Sequence, residues 1–142
     1  MKNDLIKARS LLDTGDYTCV VCRGDVFYTA AERGVKPLLN WLGSGQDLKD
    51  FSAADRVVGR ATAFLYVLLG VKEVYAKVMS RPAADVLEAY GITAETETLV
   101  DGIINRKGTG PCPFEAAVME MEDANHALIA IRDKLTQMQR GN

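Results

Sequence analysis

From Val57 to Leu68 the chain is apolar nearly all round, with Val57, Val58, Ala61, Ala63, Phe64, Leu65, Val67 and Leu68 leaving no continuous polar stripe. A helix of that kind is buried on several sides, so the rest of the chain must supply layers that enclose it. Ser52-Ala53-Ala54-Asp55 has the capping-box arrangement, with Asp in the third-position role, and predicts that this helix opens there. Gly70 ends it.

The flanking segments supply those layers. Asn3 can cap a first helix with Leu5, Ala8, Leu11 and Leu12 on one face and Gly15 at its end. Tyr17 to Cys22 and Val26 to Ala30 read as two strands joined by the turn Arg23-Gly24-Asp25. Gly34-Val35-Lys36-Pro37 opens a short helix through Trp41, and Gly43 to Lys49 is a polar loop. Val74 to Met79 predicts an internal strand, and Ser80-Arg81-Pro82 starts a helix that Gly91 closes. Thr96 to Val100 is a further strand, which Gly102 to Ile104 either extends or follows with another. A final helix is predicted from near Pro113 toward Met138, because Phe114, Val118, Met121, Ala124, Leu128, Ile131, Leu135 and Met138 recur at three and four residues. The strand–helix–strand crossover in the second half predicts an α/β fold, a mixed central sheet covered by helices. Residues 1–142 read as a single domain, without repeat or linker.

Composition narrows the function classes. A hydrophobic content of 48% builds a real core, and a formal charge of -2 gives no electrostatic case for nucleic acid or an acidic membrane. The polar N-terminus is not a signal peptide, and Ala61 to Val71 is too short to span a membrane. The expectation is a cytoplasmic protein whose three cysteines are reduced thiols.

The chemistry-bearing segment is Asn105-Arg106-Lys107-Gly108-Thr109-Gly110-Pro111-Cys112-Pro113-Phe114-Glu115, a basic Gly-rich loop running into a helix. Its backbone N–H groups and the helix start suit an anion, and a thiol there tends toward thiolate. Cys112 is therefore the candidate nucleophile or redox-sensitive thiol, against the plainer role of a small residue at a tight helix entry. Asn105, Arg106 and Thr109 could close over the same ligand, or simply form a solvated loop. Glu115 sits where capping glutamates sit, which competes with its orienting a ligand or Cys112. Lys36 and Arg60 could neutralise a phosphate or carboxylate, or be ordinary surface charge. His126 lies about four helical turns from Cys112 and cannot serve as its base. Cys19-Val20-Val21-Cys22 spells C-x-x-C, but residues three apart on a strand face opposite sides and cannot share one metal.

The order of elements resembles the cytidine-deaminase-like three-layer fold over most of the chain. The resemblance implies two helix starts that hold zinc in true deaminases, one with H-x-E and one with P-C-x-x-C. Here Asp55-Arg56-Val57 takes the first place, which makes Asp55 the second candidate catalytic residue against its capping role with Ser52, and Pro82-Ala83-Ala84-Asp85-Val86 takes the second. Pro82 matches, but Ala83 and Val86 stand where the cysteines would be, so no zinc or other cofactor is expected. Asp55-Arg56-Val57-Val58-Gly59-Arg60-Ala61 together with Gly108 to Glu115 resembles a small bacterial family of unassigned function in that superfamily, lacking the zinc motif. The resemblance implies a cleft between the Asp55 helix start, the Ser80-Arg81 turn and the Thr109–Glu115 loop. A small polar or anionic ligand, nucleotide-like by fold analogy, would bind there, with Ser80 and Arg81 among its contacts. The alternative is a noncatalytic regulatory or assembly module, with a homo-oligomer contact near Leu128 to Met138.

Overall fold

A computed structural model describes residues 2–105 and 107–140. The elements, in chain order, are α1 (Lys2–Thr14), β1 (Cys19–Arg23), β2 (Val26–Ala30), α2 (Lys36–Gly43), β3 (Ser52–Val58), α3 (Arg60–Leu69), β4 (Glu73–Ser80), α4 (Arg81–Ala89), β5 (Thr93–Val100), α5 (Pro113–Val118) and α6 (Ala124–Arg140).

The five strands form one mixed sheet in the order β2-β1-β3-β4-β5. β1 runs antiparallel to β2 and β3, and β3, β4 and β5 run parallel. Strand alternation divides the sheet into two apolar faces. Val20, Cys22, Ala54 and Tyr75 face α1, where Leu5, Ala8 and Leu12 cover them. Cys19, Val21, Ala53, Val74 and Ala76 face the larger core beneath α3. Cys19 and Cys22 thus lie on opposite faces, as their spacing on a strand requires. α3 packs against α2, α4, α5, α6 and β3, which is why nearly every side of it is apolar.

Four expectations change. Ser52 to Val58 is β3, not the opening of a helix, and α3 begins only at Arg60. β3 pairs on both sides and is largely buried, so its side chains show no polar alternation to mark it as a strand. The long final helix is two helices, because the chain turns between Val118 and Ala124 and restarts with Asp123 accepting from the His126 N–H at 3.0 Å. Asn3 lies inside α1 rather than capping it. Gly102 to Ile104 forms no further strand, only an isolated bridge from Ile104 to Pro111.

Candidate functional site

β3 carries Asp55 onto the α3 side of the sheet, directly opposite Cys19 of β1. Tyr66 reaches both from α3. Its hydroxyl donates to Asp55 Oδ2 at 2.7 Å and lies 2.9 Å from Cys19 Sγ. The Val57 N–H donates to Asp55 Oδ1 at 3.3 Å. Asp55 is only 8% exposed. Burial raises its pKa to about 6, although the bonds from Tyr66 and the backbone favour the charged form. Burial also pushes the Cys19 thiol and the Tyr66 hydroxyl well up, and the Asp55 charge adds to both.

Asp55 lines an inner cavity of about 410 Å³ together with Thr62, Arg33, Cys112, Phe114 and Glu115. An outer groove of about 770 Å³ adjoins it, lined by Lys36, Asn105, Lys107 and Leu135 among others. Arg33, Gly34, Val35, Cys112 and Phe114 border both, so Cys112 stands at the neck between them. Asp55 and Cys112 therefore meet in one cleft, although Asp55 comes from a strand and not from a helix start.

Cys112 precedes α5. Its N–H donates to the Ile103 carbonyl at 2.9 Å, and its own carbonyl accepts from the Ala116 N–H at 3.1 Å. The thiol is half-buried and free. Cys19 and Cys22 are buried, and burial raises both their pKa values. Limited alkylation of the folded protein should label Cys112 first, with Cys19 and Cys22 reacting only after unfolding. Peptide mapping by mass spectrometry checks this, and early labelling of Cys19 or Cys22 would count against the arrangement.

Glu115 has a different role from the one its position suggests. Its carboxylate reaches across to α3, accepting from the Arg60 N–H at 2.7 Å and the Ala61 N–H at 2.9 Å. It caps another helix, not its own. Arg60 answers in the opposite direction, its guanidinium donating to the carbonyls of Val118 at 3.1 Å, Pro82 at 3.4 Å and Met121. Arg60 is thus a staple between α3 and the turn after α5, and its donors face backbone rather than a ligand. The α3 start, which a free anion could otherwise occupy, already holds a carboxylate.

The remaining candidates divide. Lys36 lines the outer groove. Asn105 does too, but its amide also ties the loop together, accepting from the Thr109 N–H at 3.0 Å and donating to Thr109 Oγ1 at 3.2 Å. Thr109 closes that turn and borders neither cavity. Gly108, at φ 70, supplies the left-handed residue the turn needs. Ser80 is buried, its Oγ accepting from the Ala83 N–H at 3.1 Å to cap α4. Arg81 is exposed and pairs with Asp101 at 3.0 Å. Neither borders the cleft. Arg106 lies outside the described residues.

Tyr66 and Cys19 were not legible as site residues. The available signal was a hydroxyl in an otherwise apolar helix, which needs a buried partner. Among the described residues, no three His, Cys, Asp or Glu side chains stand together as a metal site. No described helix is long and apolar enough to cross a membrane.

A family model described as "TM1506: Domain of unknown function (DUF1893)" matches residues 7–135. No curated protein matches the sequence. Among solved structures, the chain is similar to the crystal structure of a DUF1893 family protein from Thermotoga maritima, with 26% identity and a TM-score of 0.85. That similarity covers 96% of this chain and 91% of the other.

Proposed function

This chain belongs to the DUF1893 family, and we propose that it is a zinc-free protein that binds a small polar or anionic metabolite in the cleft between Asp55 and Cys112. The carrying observation is that a cavity holding a buried carboxylate and a free thiol opens into a groove bordered by three cations and one carboxylate, Glu32, which accepts from the Asn40 amide at 3.3 Å. Arg33, Lys36 and Lys107 have no acidic partner and no side-chain hydrogen bond among the described residues. By contrast, Lys77, Arg56, Arg60 and Arg81 are each committed to a carboxylate or to backbone carbonyls. In this reading the three free cations neutralise the ligand's anionic group, Asp55 accepts a hydrogen bond from it, and Cys112 at the neck acts as nucleophile or sensor.

We read the fold as deaminase-like. The sheet order and the two helix starts that follow the adjacent parallel strands β3 and β4 support this. With α3 opening at Arg60, the residues at the first helix start are Arg60-Ala61-Thr62 rather than Asp55-Arg56-Val57. Neither they nor the buried Ala83 and Val86 at the second helix supply a zinc ligand set, so no step is assigned to a metal. A nucleotide-like ligand rests on this fold analogy.

Titration calorimetry with inorganic pyrophosphate at low salt tests the anion-binding reading. Replacing Arg33, Lys36 and Lys107 together by Ala should weaken binding by about tenfold or more, since each removes a Coulombic contact. Absence of binding, or equal binding by the triple variant, would contradict it.

A further inference from the structure

The inner cavity contains two carboxylates in very different states. Glu115 rests on the Arg60 and Ala61 N–H groups at the α3 start. Asp55 is held by the Tyr66 hydroxyl and backbone N–H groups, with the Cys19 thiol beside it and no lysine or arginine paired to it among the described residues. The groups facing it can be enumerated. β1 contributes Cys19, β4 contributes Ala76 alongside, and α3 contributes Tyr66 and the uncharged Thr62. Glu115 of α5, the Cys112 thiol before it and Arg33 before α2 line the same cavity. Arg56, next in sequence, turns away and donates to the carbonyls of Tyr17 at 2.7 Å and Leu12 at 3.1 Å. A buried carboxylate at a cavity wall is thus ion-paired to none of the described lysines or arginines, Arg33 of the same cavity included.

The hydrogen bonds around it have a direction. The Tyr66 proton is spent on Asp55 Oδ2, so the Cys19 S–H donates to the Tyr66 oxygen. If Asp55 takes up a proton, Oδ2 is the oxygen that can carry it, because Oδ1 faces the Val57 N–H. The chain then reverses. Asp55 donates to Tyr66, and Tyr66 donates to Cys19 Sγ. Cys19 is 2% exposed, so the chain ends inside the core and every member stays bonded in both states. Asp55 accepts through Oδ1 in either state, but carries charge in only one.

We propose that the inner cavity receives a positively charged, hydrogen-bond-donating head group of the amidinium or ammonium type, held by Asp55 and positioned through Tyr66 and Cys19. The inference rests on the cleft being a small-molecule site and adds that the ligand is bipolar. Its cationic head lies at Asp55 and its anionic tail at Arg33, Lys36 and Lys107.

The probes are acetamidinium chloride and neutral acetamide, which share a shape but differ in charge. Each is titrated by NMR chemical shift at pH 7.5 and pH 5.0. With Asp55 titrating at about 6, the ionised fraction falls from nearly all to roughly one tenth, so acetamidinium affinity should fall about tenfold. Acetamide should bind more weakly and without that dependence. Asp55→Asn, which preserves shape and hydrogen bonding, should abolish the charge preference. Tyr66→Phe should move the midpoint upward, because the carboxylate loses a donor. Equal binding of the two probes, no acetamidinium binding at pH 7.5, or pH dependence that survives in Asp55→Asn would each overturn the inference. If pyrophosphate still binds through the three outer cations, the cleft reading survives that failure. If neither probe class binds, both fall.

Discussion

Replacing Asp55 by Asn should make the protein more stable at neutral and alkaline pH. The side chain has a folded-state pKa of about 6 against an ordinary 3.8, so the folded state holds the proton more tightly. Stability from this group is fully present below pH 3.8 and is lost as pH rises through about 6. Raising the carboxyl from 3.8 to about 6 corresponds to roughly 3 kcal/mol at pH 8, the cost of keeping a charge in this cavity wall. Asn carries no such charge. Its Oδ1 can still accept from Val57, and its amide can donate to Tyr66, whose hydroxyl then turns to Cys19. Urea denaturation should therefore find the variant more stable by about 1–3 kcal/mol at pH 8, with the difference shrinking toward zero near pH 4. A pH-independent difference, or a less stable variant at pH 8, would contradict this. A destabilising carboxylate kept beside a cavity is the pattern of a residue placed for binding or chemistry rather than for packing.

Removing the Glu115 side chain should have an effect of similar size and opposite sign. The carboxylate makes two short charge-assisted bonds to Arg60 and Ala61, at the positive end of α3. Glu115→Ala leaves those N–H groups without their partner and should cost about 2–4 kcal/mol. Gly59 belongs to the same contact. A Cβ there would lie 2.5–2.8 Å from the Glu115 carboxylate atoms. Its backbone, at φ -99, suits any residue, so glycine is required by this approach and not by conformation. Gly59→Ala should cost about 2–3 kcal/mol alone by displacing the carboxylate, and little in a Glu115→Ala background. A double-mutant cycle by chemical denaturation should show a coupling of about 2 kcal/mol, whereas additive effects would mean that the two residues do not share this contact.

The sequence carried the fold where turn chemistry was explicit. Gly24 and Asp25 mark the hairpin, Gly70 and Gly91 lie just past α3 and α4, and Ser80-Arg81-Pro82 opens α4. It misled where one pattern serves two structures. Ser52-x-x-Asp55 satisfies a capping box, and a seven-residue segment without polar alternation fits a buried strand or a buried helix equally. Gly59 was the true boundary, unread because its reason is a contact with Glu115, 56 residues later in the chain. The apolar stripe of the final segment keeps its spacing across the break before α6, so periodicity could not show it. In the cleft, Asp55, Cys112, Lys36 and Glu115 were legible by residue type and setting. The partners Tyr66 and Cys19 were not, because their meeting depends on β1 lying beside β3 with α3 above them.

A crystal structure of the protein grown with pyrophosphate tests the cleft most directly. The account predicts density for the anion in the outer groove, within hydrogen-bond reach of at least two of Arg33, Lys36 and Lys107 and open toward Cys112 and Asp55. A groove filled by its own side chains, or pyrophosphate bound only elsewhere on the surface, would contradict it.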